Sequence, residues 1–505
     1  MNKNNIIIKN IISSLINQIV CFLYGFIIPI FIIKTFGSEI NGLISSIAQF
    51  LAYISLLEGG VGPVIKNALF KPLVKKNNEE ISKILGTTDN FFKKLSYIFI
   101  LYIIILCVFY PMFVEEYTHL FTISMILIIS INYLSEYYLG ITYILFLKSD
   151  QKNYLIDNIN TISYIFNLIV IIVLIKLGFG ILWIKLISSF VYVIKPIILR
   201  IYFNRKYNIK IIKDKSYKLE KKWDGLTHHI ASIVQSNTDI LLLTTFSNLV
   251  NVSIYSVHSL VTNGINSLIN SLTNGIDAFF GKKLVESNRV NSTFDSYCFV
   301  FYTLITMILT MTLILIVPFI SVYTRSISDA NYVNPIFAYL LVFAQFFRSI
   351  GDPYASIVYA NGNFKETSKY AVVQPIINIV ISLILIKKFG LIGVAIGTLF
   401  SAPIRSIGFI YYGSNYILNK KFFDSIKIII ISLFEMISVF CIYILLGGIT
   451  VSSYYEWILS ALTWFVPVTI FIITLNVITF NNTFKKCVCL LKKTKKWNVL
   501  INLNR

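Results

Sequence analysis

The run IISSLINQIVCFLYGFIIPIFII, Ile11 to Ile33, decides the fold class. It holds 23 residues without one charged side chain, and about 20 apolar residues are enough for a helix to cross a bilayer. The apolar core of a signal peptide is shorter, roughly 7–15 residues, and ends at a small-x-small cleavage site. No such site follows Ile33, so the run reads as a retained first span. The whole chain agrees: of 505 residues 56% are hydrophobic and 13% charged, with mean hydropathy +0.75. Soluble domains carry about 25% charged residues.

Membrane-length apolar segments continue at 40–57, 95–114, 120–147, 154–175, 179–203, 230–249, 253–280, 297–322, 332–360, 370–386, 391–412, 427–448 and 457–480. Fourteen helices are therefore expected in an all-α polytopic membrane protein. The seventh, eighth and eleventh segments are short or heavily polar. The net charge of +21 would suggest nucleic acid in a soluble protein, but the placement of the charges excludes that. With the N-terminus inside, the outer loops hold only Lys34, Lys176, Arg325, Lys387 and Lys388 of the 44 basic residues. The basic connections 58–94, 204–229 and 481–505 fall inside, as the positive-inside rule requires, and both termini are expected to be cytoplasmic. The two longer inner connections read as amphipathic helices along an anionic leaflet. Outer loops are short and no soluble domain remains to carry chemistry, so no enzyme, cofactor or metal is expected. Cys487 and Cys489 lack the partners of a zinc site, and the cysteines within spans read as small hydrophobes.

Two six-span halves repeat. Thr35-Phe36 with Asn41 recurs as Thr245-Phe246 with Asn251; Lys152 answers Lys365; Leu177-Gly178 answers Phe389-Gly390. An even number of spans makes the repeats parallel, related by an axis along the membrane normal, with a pathway between them. The expected organisation is an N-terminal lobe at 1–212, a basic linker at 213–229 and a C-terminal lobe at 230–416. Residues 417–505 add spans 13 and 14 with a basic tail.

Inside the eighth segment lies a polar stripe. Ser259, Asn263, Asn266, Asn270, Asn274 and Asp277 are spaced by three or four residues and would share one face of a helix. Amides facing lipid without partners each cost several kcal/mol, roughly, so the face should meet a bundle or an aqueous pathway. One or two asparagines would fit interhelical hydrogen bonding; a stripe of this length favours a lined pathway.

Phe36-Gly37 followed by Asn41-Gly42, the Gly-rich exit Glu58-Gly59-Gly60-Val61-Gly62, and Gly178 and Gly180 with Gly390, Gly393 and Gly397 carry a resemblance. They resemble the Wzx-type polysaccharide-repeat flippases (O-antigen or capsule exporters) of the multidrug/oligosaccharidyl-lipid/polysaccharide superfamily. The resemblance implies a multi-pass protein of the bacterial cytoplasmic membrane that moves an undecaprenyl-diphosphate-linked oligosaccharide outward by ion-coupled alternating access of two lobes. It also implies association with the polysaccharide polymerase and chain-length machinery.

A lipid diphosphate needs cations along its path. The candidates are Lys185 and Lys195, on one face of the sixth span with Ser188 and Tyr192, and Arg348 and Arg405 in the tenth and twelfth. The alternatives are snorkelling for Lys195 and Arg405 and an i,i+4 pair with Asp352 for Arg348. Asn263, Asn266, Asn270 and Asn274 would face sugar. Asp239 and Asp277 are the candidate H⁺ or Na⁺ coupling sites, because desolvated acids titrate near neutrality. Glu136 and Glu435 are further candidates, with a structural ion pair as the alternative for each. Three other functions compete. A lipid II flippase would share the fourteen spans. A multidrug cation antiporter would have twelve spans and a cation-poor, acid-rich cavity. A membrane polymerase or glycosyltransferase would need a large outer loop with catalytic residues.

Overall fold

The computed structural model describes residues 3–207, 209, 226–273, 275–286 and 290–488. All regular structure among them is helical. In chain order the helices are α1 (Lys3–Phe36), α2 (Ser38–Ala52), α3 (Ile54–Glu58), α4 (Val61–Lys75), α5 (Asn78–Phe109), α6 (His119–Ser135) and α7 (Ile141–Ser149). There follow α8 (Asn153–Lys176), α9 (Ile181–Tyr207), α10 (Leu226–Phe246), α11 (Leu249–Thr273), α12 (Ile276–Glu286) and α13 (Val290–Tyr323). The last six are α14 (Pro335–Ser349), α15 (Asp352–Ala360), α16 (Phe364–Phe389), α17 (Leu391–Tyr412), α18 (Phe422–Leu445) and α19 (Tyr454–Thr479).

Eleven helical stretches among the described residues are long and apolar enough to cross a membrane, the first being Ile6–Phe36. The chain is an all-α polytopic membrane protein. Three of the fourteen expected spans are helical but fall outside that set: α10, α11 and the pair α14–α15. For α10 and α11 the reason is polarity; Thr244 of α10 and Ser253 of α11 bond to α2. For α14–α15 the reason is a break, which hydropathy cannot register. The eleventh segment, short by sequence, lies within the long helix α16.

The chain divides into two compact units, Met1–Leu260 and Val261–Arg505. The division falls inside α11. In the first unit α1 packs on α8, α6 and α8 on α9, and α10 on α2. Its core is apolar and continuous, with Leu43, Ile47, Leu85, Phe99, Phe146 and Phe203 fully buried. The α2–α10 seam is polar instead. Ser46 and Thr244 share a hydrogen bond of 2.6 Å, Tyr110 donates to Ser46 at 2.8 Å, and Asn41 Nδ2 donates to Ser253 at 2.8 Å from α2 to α11. Hydroxyl and amide pairs of this kind satisfy polar groups that lipid would leave bare.

Two left-handed glycines, Gly59 and Gly60 (φ +58° and +69°), separate α3 from α4. A side chain there would strain the backbone, so the Glu58-Gly-Gly motif is the point where the second span stops and the basic connection begins. In the second unit α13 is the hub: Phe294, Tyr302, Ile305, Leu309 and Leu313 are fully buried along it. The two helices beyond the repeat, α18 and α19, pack on α13 through Ile314, Val439, Tyr443, Val468 and Ile472.

Between α18 and α19 sits a fully buried acid. Asn476 Nδ2 donates to Glu435 Oε1 at 2.9 Å and Oε2 at 3.0 Å. Glu435 is thus held by an amide of the adjacent span, and not by any of the four basic residues within spans that the sequence offered as partners. Removing that amide leaves a buried acceptor unsatisfied, at a cost of about 1–3 kcal/mol. Asn476→Leu is expected to lower the unfolding temperature in detergent, and Glu435→Leu combined with it to restore most of the loss. Equal melting of wild type and Asn476→Leu would refute the pairing.

Candidate functional site

The clearest concentration of charge in the second unit lies where the tenth expected span breaks. α14 ends at Ser349 and α15 starts at Asp352, with Ile350 and Gly351 between them. The break exists because α17 comes very close. A Cβ on Gly351 would stand 2.6 Å from Ser406 Cα, and Ser406 Oγ donates to the Arg348 carbonyl at 2.8 Å. Gly351 supplies the space, and Ser406 takes up a carbonyl that the interrupted helix leaves free.

This contact sets Arg405 beside the break. Its guanidinium donates to Tyr359 Oη at 3.1 Å and lies over the Phe409 ring, 5.4 Å from the centroid. Asp352 lies in the electrostatic field of both Arg405 and Arg348. The i,i+4 pair of Arg348 with Asp352 does not form, because the helix is interrupted between them; no direct ion pair joins Asp352 to either arginine among the described residues. Two cations therefore act on the one acid at the break, Asp352.

Two buried donors at this cluster lack acceptors. Arg348 Nε and Tyr297 Oη are both sealed from solvent without a hydrogen-bond partner, and Tyr297 on α13 lies within electrostatic reach of Asp352 and Asp277. Native proteins leave few buried donors unpaired. Amides line the adjoining side: Gln345 Nε2 donates to Asn266 Oδ1 at 3.2 Å and to Ser349 Oγ at 3.1 Å.

The asparagine stripe is only partly continuous. α11 stops at Thr273, Gly275 adopts φ +83°, and α12 begins at Ile276. Asp277 therefore lies on the next helix and not on one face with the rest, a correction that follows from the glycine turn. Asn263 and Asn270 are exposed, Asn266 is half-buried against Gln345, and Asn274 lies outside the described residues. Cys489 and most of the 213–229 linker also lie outside them.

The first unit carries a related arrangement. Glu136 to Gly140 form a single π-helical turn between α6 and α7, a form of irregularity frequent at functional sites. A Cβ on Gly140 would meet Pro196 Cβ at 2.8 Å on α9, and Lys195 pairs with Glu136 at 3.6 Å. Gly140 and Gly351 are 211 positions apart; Lys195 and Arg405 are 210 apart, as are Pro196 and Ser406. In each unit a glycine at an irregular fourth helix seats on the sixth, beside that helix's cation. The charge balance differs, since Glu136 neutralises Lys195 one to one. Lys185 is half-buried on the same face of α9 and has neither hydrogen bond nor ion pair among the described residues. Farther along that face Tyr192 approaches Tyr164, and Asn167 Nδ2 donates to Tyr24 at 2.8 Å.

Asp239 is buried on α10 and accepts from Tyr255 Oη at 2.8 Å. One turn earlier, Gln235 is buried with both amide atoms unpaired. Glu58, at the end of α3, accepts a long hydrogen bond of 3.5 Å from Tyr137.

Sequence reading did not find Gln345, Ser349, Tyr359 or Tyr297. The first two were accessible: Gln345, Arg348, Ser349 and Asp352 fall at helical spacing, and the glycine pair extends the repeat already found at offsets of 210–213.

No protein-family model matches the chain, and no curated protein matches it. Solved structures do. A lipid II flippase, MurJ, in its inward closed conformation superposes with TM-score 0.65 at 16% identity, covering 94% of this chain and 100% of that one. The chain shares this fold. An inward-facing multidrug resistance MATE transporter of the MOP superfamily matches with TM-score 0.53 at 12% identity, over 79% of this chain and 93% of its own. A eukaryotic MATE transporter matches with TM-score 0.55 at 11% identity, over 82% and 95%.

Proposed function

We propose that this chain is a flippase for a lipid-linked saccharide carrying a diphosphate, of the kind assembled into O-antigen, capsule or another surface polysaccharide. The observation that carries the reading is the pair of arginines, Arg348 and Arg405, acting on the buried Asp352 beside two buried donors without an acceptor. A diphosphate presents several acceptor oxygens and two or so negative charges, and guanidinium forks suit it. The amides of Asn266 and Gln345 beside the cluster suit the first sugar. Asn263 and Asn270 extend the same chemistry along α11. Lys185 and Lys195 would serve the phosphate in the first unit, and Asp239 would carry a coupling H⁺ or Na⁺.

The second reading is a lipid II flippase, favoured by the coverage of the MurJ structure. Both readings share the chemistry of a lipid diphosphate bearing sugar. A multidrug cation carrier is disfavoured, because two arginines would repel an organic cation.

The test uses the full chain in proteoliposomes under an imposed ion gradient. Translocation of a short-chain fluorescent polyprenyl-diphosphate saccharide is expected, with no uptake of ethidium. Ethidium uptake without saccharide translocation would overturn the reading in favour of a drug carrier. A lipid II analogue run in parallel separates the two flippase readings.

A further inference from the structure

At the end of the first unit that bears the basic connections lies a cleft of roughly 550 Å³, formed by α1, α4, α7 and α8. Its lining includes Ile11, Leu15, Lys66, Lys148, Asn153 and Asp157. The two lysines approach from different helices: Lys66 from α4 within the 58–94 connection, Lys148 from the last turn of α7. Neither has a hydrogen bond or a direct ion pair among the described residues. Asp157 feels Lys148 electrostatically without pairing with it. One wall is fixed, because Asn10 Nδ2 donates to the Gln151 carbonyl at 2.8 Å and Asn10 Oδ1 accepts from the Tyr154 amide at 2.9 Å. These bonds tie α1 to the turn before α8.

The cleft opens onto an exposed apolar strip of α1. Ile11 and Leu15 are 55% and 56% exposed, and Ile8, Ile12 and Ile19 continue the apolar strip along α1. A ligand fitting both parts is amphiphilic, with a phosphate between the lysines and a hydrocarbon chain along α1. The volume falls in the range of about 300–1,000 Å³ usual for small-ligand sites. Asp157 limits the charge, since a second phosphate would sit against a carboxylate. We propose that this cleft is a binding site for the headgroup of a glycerophospholipid with a single phosphate, drawn from the leaflet on the basic side. The proposal uses none of the residues of the Arg348–Arg405 cluster and does not depend on what the protein transports. Lysines at this depth hold phosphate as point charges while their stems lie along apolar surface.

The test is native mass spectrometry of the full chain titrated with phosphatidylglycerol. The wild type is expected to retain one phosphatidylglycerol more than Lys66→Gln/Lys148→Gln, whose affinity falls about tenfold. Diacylglycerol, which lacks the phosphate, should not be retained. Asp157→Asn should tighten phosphatidylglycerol several-fold, a gain that a misfolded variant cannot mimic. Equal retention by wild type and the double variant, or no gain in Asp157→Asn, would overturn the site. Displacement of the lipid by millimolar inorganic phosphate would assign the cleft to free phosphate and overturn the lipid reading.

Discussion

Replacing Arg348 and Arg405 together by glutamine is expected to abolish saccharide translocation while the protein remains inserted and folded. Each arginine offers charge-assisted hydrogen bonds worth about 1.5–3 kcal/mol. Loss of one such bond from each site lowers the rate of a step that needs them about a hundredfold or more. The single variants should differ. Arg405 keeps a partner in Tyr359 and a stacking surface in Phe409, so Arg405→Lys loses the fork but retains the charge. Arg348 has a buried Nε without an acceptor, and Arg348→Gln removes the donor that the cargo is proposed to satisfy. The damage should therefore fall mainly on apparent saccharide affinity in Arg348→Gln. Glu136→Gln in the first unit should act in the opposite direction, because it releases Lys195 from its only carboxylate within pairing distance among the described residues. Normal translocation by the double arginine variant at wild-type protein levels would remove the cluster from the transport path.

How far the sequence could be read depends on what each signal measures. Uninterrupted apolar length is additive along a chain, so α1, α5, α8, α13, α18 and α19 stand out from composition alone. Helix breaks are different, because a single residue makes them. Gly351 and Gly275 sit inside segments whose average hydropathy is unremarkable, and both cut helices that periodicity would run straight through. An unbroken helix would put Asp277 on the asparagine face and make Asp352 an i,i+4 partner of Arg348, and neither helix is unbroken. The close approach that explains Gly351 involves Ser406, 55 residues away, and local patterns carry nothing of that distance. The internal repeat did carry it. Once Gly140 is known to seat on α9, an offset of 211 leads to Gly351 and one of 210 leads from Lys195 to Arg405. Charge pairing was legible only in part. In the sequence Glu136 and Glu435 read equally as ion-pair partners, and among the described residues only Glu136 has a cation. Glu435 is answered by Asn476, an ordinary amide in an otherwise apolar helix.

Asp239→Asn is the second large effect, and it should change what drives transport more than whether cargo binds. Asp239 is buried on α10, with Tyr255 donating to one carboxylate oxygen at 2.8 Å. Gln235 stands one turn away with an unpaired carbonyl oxygen and an unpaired amide nitrogen. A carboxylate with a neighbouring amide oxygen is a ligand set for a hard monovalent cation, and the same carboxylate can bind a proton. Asparagine has nearly the same shape and can accept from Tyr255, so the fold should persist. It cannot bind a proton or supply negative charge for Na⁺. Under an imposed gradient, Asp239→Asn should therefore lose the gradient-driven part of translocation, on the order of tenfold or more if the ion contributes at least 1.4 kcal/mol. Exchange of saccharide without a gradient should remain near the wild-type rate. Gln235→Leu separates the two ions. If Na⁺ is bound, removing an oxygen ligand weakens the Na⁺ dependence. If a proton is bound, the pH dependence survives, because the carboxylate is intact. An Asp239→Asn protein whose gradient-driven rate and ion dependence both match the wild type would exclude this carboxylate from coupling.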